Sequence, residues 1–166
     1  MTKRIFSGVV GLALMAAALL MVAGARASAE VAVQGGKSDD EVKVAVAASK
    51  LDDAGKQVVT LTLTINKGWH IYANPVGNEE LAPAATLVKL VSKNKPQEFK
   101  VNYPAGKEAG DKTLGKYRVY EQKVEIPINV QRAPGDKGPL EVSVRFMACS
   151  DAGVCKLPAT VKVTVP

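Results

Sequence analysis

The sequence predicts an all-β protein, an antiparallel sandwich, and three observations carry that reading. Apolar and polar residues alternate at period two along most of the chain after residue 42. The alternating runs are short, recur at regular spacing, and are separated by Gly, Pro, Asn and Asp. No stretch has helical periodicity, and about eight strands of this kind with turns between them describe a sandwich.

The first 29 residues stand outside that pattern. Lys3 and Arg4 open them, an apolar run follows from about Val9 to Val22, and small residues close them at Ala25–Ala29. This order is that of a secretory signal peptide, with cleavage after Ala27 or Ala29. A membrane anchor is the competing reading, but the apolar run is short for a bilayer, which needs about 20 residues. Residues 30–41, with Gly, Ser and charge, read as a flexible lead-in, and residues 42–166 as one domain.

Within the domain each strand has its own signature. Val42, Val44 and Val46 share one face. Val59, Leu61, Leu63 and Ile65 share another, opposite Thr60, Thr62 and Thr64, and Asp52–Gly55 between these two strands reads as a hairpin turn. Gly68–Tyr72 is a short aromatic strand, broken by Asn74-Pro75 and Gly77-Asn78. Ala85–Val91 and Glu98–Tyr103 are further strands, separated by Ser92–Pro96, and Pro104–Gly115 reads as a Gly- and Lys-rich loop. The pattern resumes at Tyr117. Val124, Ile126, Ile128 and Val130 alternate around Pro127, which cannot donate to a ladder and so predicts a free edge. Ala133–Pro139 is a turn; Leu140, Val142, Val144 and Phe146 form a core-facing row; Val161, Val163 and Val165 close the chain.

Charge and composition exclude several functions. The formal net charge of +6 falls to +3 once Lys3, Arg4 and Arg26 leave with the leader. The remaining lysines are dispersed and the aromatics show no stacking pattern, which argues against nucleic-acid binding. No Ser/His/Asp set or glycine-rich phosphate loop is present. His70 is the single histidine, and with two cysteines from a distant segment it makes no zinc signature. No cofactor or metal is predicted, and His70 reads as a strand residue with a hydrogen-bonded ring.

The chemistry lies in Phe146–Pro158. Two cysteines in an exported chain pair with each other in an oxidising compartment. Parity from the 140–146 row puts Cys149 on the face of Arg145 and Met147, away from the core and near the surface. The Asp151-Ala152-Gly153 turn returns the chain so that Cys155 lies beside Cys149, within the roughly 4.4–6.8 Å between Cα atoms that a disulfide requires. Two uses are open at this point. As a staple, so small a loop contributes only about 2–2.5 kcal/mol through chain entropy. As a reactive bond, a local exposed disulfide is the kind open to thiolate attack. Lys156 either favours the thiolate electrostatically or is an ordinary solvated lysine.

The motif Cys149-Ser150-Asp151-Ala152-Gly153-Val154-Cys155 followed by Pro158 resembles the active-site hairpin of the N-terminal periplasmic domain of the DsbD family. Gly68–Tyr72, Leu114-Gly115-Lys116, Tyr117–Tyr120 and Val124–Val130 resemble further segments of that domain in the same order, so the resemblance covers roughly residues 42–165. It implies an immunoglobulin-like sandwich and thiol–disulfide interchange in the periplasm. It implies that Cys155 forms the mixed disulfide and Cys149 resolves it. Tyr72, on the aromatic strand, would flank the pair. A cap loop at Asp111–Gly115 would cover it, with Asp111 as the acidic group near the thiols and Leu114 as the apolar shield beside Gly115. Lys112 and Thr113 stand where the family has an acidic residue and an aromatic, which predicts a weaker cap. The implied partners are thioredoxin-like envelope proteins and a membrane reductant as electron sources, with disulfide isomerases or cytochrome c maturation factors as acceptors. The 166 residues hold no conduit or thioredoxin domain, so the electron source is expected to be a separate protein. The alternative is a non-enzymatic immunoglobulin-like binding or assembly module whose disulfide is structural.

Overall fold

The computed structural model describes residues 36–91 and 98–165; the expected signal peptide, most of the lead-in and the 92–97 connection lie outside the described residues. Eleven strands follow in order: β1 (Val42–Ala48), β2 (Lys56–Ile65), β3 (Trp69–Tyr72), β4 (Leu87–Val91), β5 (Glu98–Val101), β6 (Lys107–Asp111), β7 (Gly115–Glu121), β8 (Lys123–Gln131), β9 (Leu140–Phe146), β10 (Ala148–Ser150) and β11 (Ala159–Val165). They form three antiparallel sheets, ordered β1-β2-β8-β5, β10-β3-β7-β6 and β11-β9-β4.

Alternation explains why these segments are strands and which way they face. The predicted rows on β2, β8 and β9 are buried throughout, with Val59, Leu61, Leu63, Ile126, Ile128, Val142 and Val144 fully enclosed. They meet Ile71, Tyr120 and Ala148 from the second sheet in one apolar core, giving the immunoglobulin-like antiparallel sandwich. Residues Gln34–Pro166 form one compact unit. The Asp52–Gly55 turn is as predicted: Gly55 takes φ 79° and its N–H donates to the Asp52 carbonyl at 3.0 Å. In the 133–139 turn, buried Arg132 donates to Gln57, to Asp136 and to the Gly138 carbonyl.

Three expectations need correction. The free edge inferred from Pro127 is local, because β8 lies between β2 and β5. Pro127 pairs with Thr60, and its carbonyl accepts from Asn102 just past the last β5 pair, Val101 with Ile128. Pro127 has no N–H to return a bond to Asn102, so the β5 ladder stops at Val101 with Ile128. The 104–115 segment is not all loop: Lys107–Asp111 is β6, paired with β7. Its Gly110 fits where a Cβ would stand 2.5 Å from the Gly115 carbonyl oxygen. Thirdly, the end of the lead-in is built into the fold. Ser38–Asp40 form a 3-10 turn, and Ser38 is fully buried.

Candidate redox site

The site grows from the register of β10, β3 and β7. Cys149 pairs with His70, and His70 with Glu121; Ala148 pairs with Ile71, and Ile71 with Tyr120. Paired residues share a face and neighbours alternate, so this sheet has two different sides. Ile71, Tyr120 and Ala148 enter the main core. Cys149 lies on the other side with Tyr72, Val76 and Val119, in a second apolar cluster against which Met147, Tyr117, Ala109 and Leu81 pack. Cys149 therefore does turn away from the main core, as parity predicts, but it is not near the surface. It is 2% exposed.

Cys149 and Cys155 are disulfide-bonded, with Cα atoms 4.0 Å apart. That is closer than the separation expected, and the hairpin explains it. Ser150 N–H donates to the Val154 carbonyl and Lys156 N–H to the Ala148 carbonyl. Those bonds flank the Cys149–Cys155 pair and leave it as a non-hydrogen-bonded antiparallel pair, the close type. Gly153, with φ 83°, turns the loop between them. The two sulfurs have unequal surroundings: Cys155 is exposed, and so are Val154 and Leu157 on either side.

The Tyr72 hydroxyl lies 3.7 Å from Cys149 Sγ. Tyr72 is buried and meets the rings of His70 and Tyr117 edge-on, at 6.0 and 5.7 Å between centroids. His70 Nδ1 is 3.7 Å from Asp151 Oδ1. Strand β3 thus places two polar rings on the cystine face, as its sequence pattern of alternate outward residues requires.

Lys156 is not an ordinary solvated lysine, being ion-paired and 18% exposed. It points to the opposite side of the hairpin from Cys155. Its Nζ lies 2.6 Å from Glu41 Oε1, 3.4 Å from Asp40 Oδ2 and 5.2 Å from the centre of the Trp69 ring. Hydrogen bonds from Lys156 and then from Asn66 hold the Glu41 carboxyl below its usual range, and Glu41 in turn raises the Lys156 ammonium. The β6–β7 turn holds the remaining predicted residues. Asp111 ends β6 opposite Gly115, with its side chain outside the described residues. Leu114 is half-buried and its carbonyl accepts from Asn78 Nδ2 at 2.7 Å, while Gly115 is exposed at φ 72°. With the turn in this position Cys155 stays open to solvent.

Sequence reasoning missed Ser38, whose hydroxyl touches both limbs of the hairpin, and the acidic partners of Lys156. Separations of more than 100 residues left no local signal for either. Among the described residues no group of three or more His, Cys, Asp or Glu side chains is placed to hold a metal ion. Nor is any helix there long and apolar enough to cross a membrane.

Comparison with known proteins gives a consistent result. Residues 38–166 match the family model described as thiol:disulfide interchange protein DsbD, N-terminal. The chain is 25% identical over 108 residues to the thiol:disulfide interchange protein DsbD of Salmonella choleraesuis (strain SC-B67), covering 65% of this chain and 16% of that protein. The chain thus spans only a small part of the length of the curated relatives it matches. Among solved structures, it is similar to the N-terminal periplasmic domain of ScsB from Proteus mirabilis, with TM-score 0.56 and 18% identity over 75% of this chain and 46% of that one. The reduced DsbD n-terminal domain of Neisseria meningitidis aligns with TM-score 0.48 and 17% identity, over 76% of this chain and 85% of that one.

Proposed function

The chain belongs to the family of DsbD N-terminal domains, and from that premise we propose that it exchanges dithiol and disulfide through Cys149 and Cys155 in the periplasm. Residues 1–29 are the export signal in this reading, and residues 42–166 the working domain. The observation that carries the proposal is the unequal burial of two bonded sulfurs: Cys155 is exposed and Cys149 is 2% exposed.

That inequality orders the chemistry. In the reducing half-reaction a partner thiolate attacks Cys155 Sγ, the sulfur it can reach in line. The Cys149–Cys155 bond breaks, a mixed disulfide forms at Cys155, and Cys149 leaves as a thiolate that takes up a proton. A second partner thiolate then attacks the partner's own sulfur in the mixed disulfide. The partner leaves as a disulfide and the two electrons stay on Cys149 and Cys155. In the donating half-reaction the Cys155 thiolate attacks an acceptor disulfide. Cys149 then attacks Cys155 Sγ, restores the internal bond and releases the acceptor as a dithiol.

Tyr72 assists where charge appears in a buried place. A thiolate at Cys149 lacks water, and the Tyr72 O–H, 3.7 Å away, is positioned to donate to it. The proposed donors are a thioredoxin-like protein or a membrane reductant. The proposed acceptors are oxidised envelope proteins, including disulfide isomerases and cytochrome c maturation factors. Apolar Val154 and Leu157, exposed beside Cys155, suit transient docking of such partners.

The test is capture. A Cys149→Ala variant loses the resolving sulfur, so it should accumulate mixed disulfides through Cys155 in envelope extracts. In glutathione buffers the wild-type pair should equilibrate at a potential above about −300 mV. No captured partner, together with a potential well below that value, would leave a structural crosslink on a binding module.

A further inference from the structure

The segment Lys37–Glu41 grips the redox hairpin from behind and holds both of its limbs. Ser38 is fully buried. Its Oγ accepts from the Ala148 N–H at 2.9 Å and donates to the Leu157 carbonyl at 2.8 Å. Its own N–H donates to that same carbonyl at 3.0 Å, and Lys37 pairs with Leu157 in parallel. Ala148 precedes Cys149 and Leu157 follows Cys155 by two, so a single hydroxyl ties together the limbs that carry the two sulfurs. The ion pairs of Lys156 with Glu41 and Asp40 fasten the same segment to the Cys155 limb. Asn66 anchors Glu41 to the sandwich through its N–H at 2.9 Å and its side chain at 2.8 Å.

Opening the disulfide removes the covalent tie between the limbs. What then joins the two limbs near the sulfurs is the pair of backbone bonds Ser150–Val154 and Lys156–Ala148 and the Ser38 clasp, with the Gly153 and Val154 N–H groups donating to the Ser150 carbonyl and Oγ at the turn. The tendency of two thiols to close depends on their effective concentration, which rises with any contact that keeps their limbs adjacent. A contact that favours the closed geometry also favours the bond, because the two are thermodynamically linked.

We propose that Ser38 is a positioning residue for the thiol pair. Its hydroxyl keeps Cys149 beside Cys155 after the disulfide opens, which lowers the reduction potential and speeds the attack of Cys149 on a mixed disulfide at Cys155. The inference rests on the exchange reading above. In the step concerned, the Cys149 thiolate bonds to Cys155 Sγ, the bond from Cys155 to the partner breaks, and the partner sulfur departs with the electron pair.

The experiment compares full-length wild type, Ser38→Ala and Val59→Ala in glutathione buffers, and follows resolution of a glutathione adduct at Cys155. Val59 is fully enclosed in the main core, so Val59→Ala lowers stability without touching the hairpin. Ser38→Ala should shift the dithiol–disulfide equilibrium about three- to tenfold toward the dithiol, the upper figure equal to about 30 mV. It should slow resolution by a similar factor, while Val59→Ala leaves both unchanged. If Ser38→Ala does not fold, Glu41→Gln, which loosens the same segment at its ion pair, should shift the equilibrium in the same direction by a smaller factor. Wild-type potential and resolution rate in the readable Ser38→Ala or Glu41→Gln protein, or an equal shift in Val59→Ala, overturns the clasp and leaves the exchange reading standing. A wild-type disulfide that does not equilibrate with glutathione at all overturns the exchange reading and the clasp with it.

Discussion

The two sides of the sheet β10-β3-β7-β6 are made from alternate residues of the same strands, yet they do different work. On the inner side Ile71, Tyr120 and Ala148 are 0–4% exposed and join the core of the sandwich. On the outer side Cys149, His70, Tyr72 and Glu121 bring sulfur, imidazole, phenol and carboxylate onto one surface. Tyr72 and Cys149 there have a small apolar cluster of their own. The lesson is that a four-residue strand is enough to serve stability and chemistry together, because the pleat keeps the two sets of side chains apart. The inner side sets the position of the strand; the outer side is then free to be polar.

Changes on the outer side should abolish or slow exchange while the domain stays folded. The largest effect is expected for Cys155→Ser. It removes the exposed sulfur, so no mixed disulfide should form with any thiol or disulfide partner, as read by non-reducing electrophoresis and mass spectrometry. An inner-side change should do the reverse. Ile71→Ala leaves a cavity in a fully enclosed site and should cost about 2–5 kcal/mol in denaturant unfolding. The surviving folded protein should keep its exchange rate, and loss of that rate would blur the division between the sides.

Two smaller effects sharpen the comparison. Tyr72→Phe keeps the ring packing and removes the hydroxyl beside Cys149 Sγ. A single hydrogen bond is worth about 1 kcal/mol, so stopped-flow reduction by a small thiol should slow about fivefold, with the thermal midpoint nearly unchanged. The smallest effect concerns pH. Glu41 is held below its ordinary 4.5 chiefly by the hydrogen bond from Lys156. A depressed carboxyl stabilises the fold above its unfolded-state value, and that contribution is lost as pH falls through the lower folded-state value. The thermal midpoint should therefore decline with acidification below about pH 4.5, and the part of the decline due to this group should vanish in Glu41→Gln.

Much of the fold was legible because its signals are local. The rows on β2, β8 and β9 are strong β-formers at period two, and the Asp52–Gly55 turn has its glycine where φ is positive. Strand β6 was hidden because Lys107–Asp111 has no β-branched or aromatic residue; it pairs because β7 lies beside it and Gly110 permits the approach. Pro127 suggested a free edge because the sequence shows a missing donor but not where the neighbouring strand ends.

The sequence by itself determined that this is a β-sandwich with two cysteines at a hairpin, since alternation, turn residues and a six-residue separation are all short-range facts. Tertiary structure alone decided that Cys149 is enclosed and Cys155 open, that Lys156 pairs with Glu41 and Asp40, and that Ser38 holds the hairpin. The physical reason is common to all three. Hydrogen bonding at this site comes from segments 77 to 119 residues away in the chain, and such contacts exist only once the chain has folded.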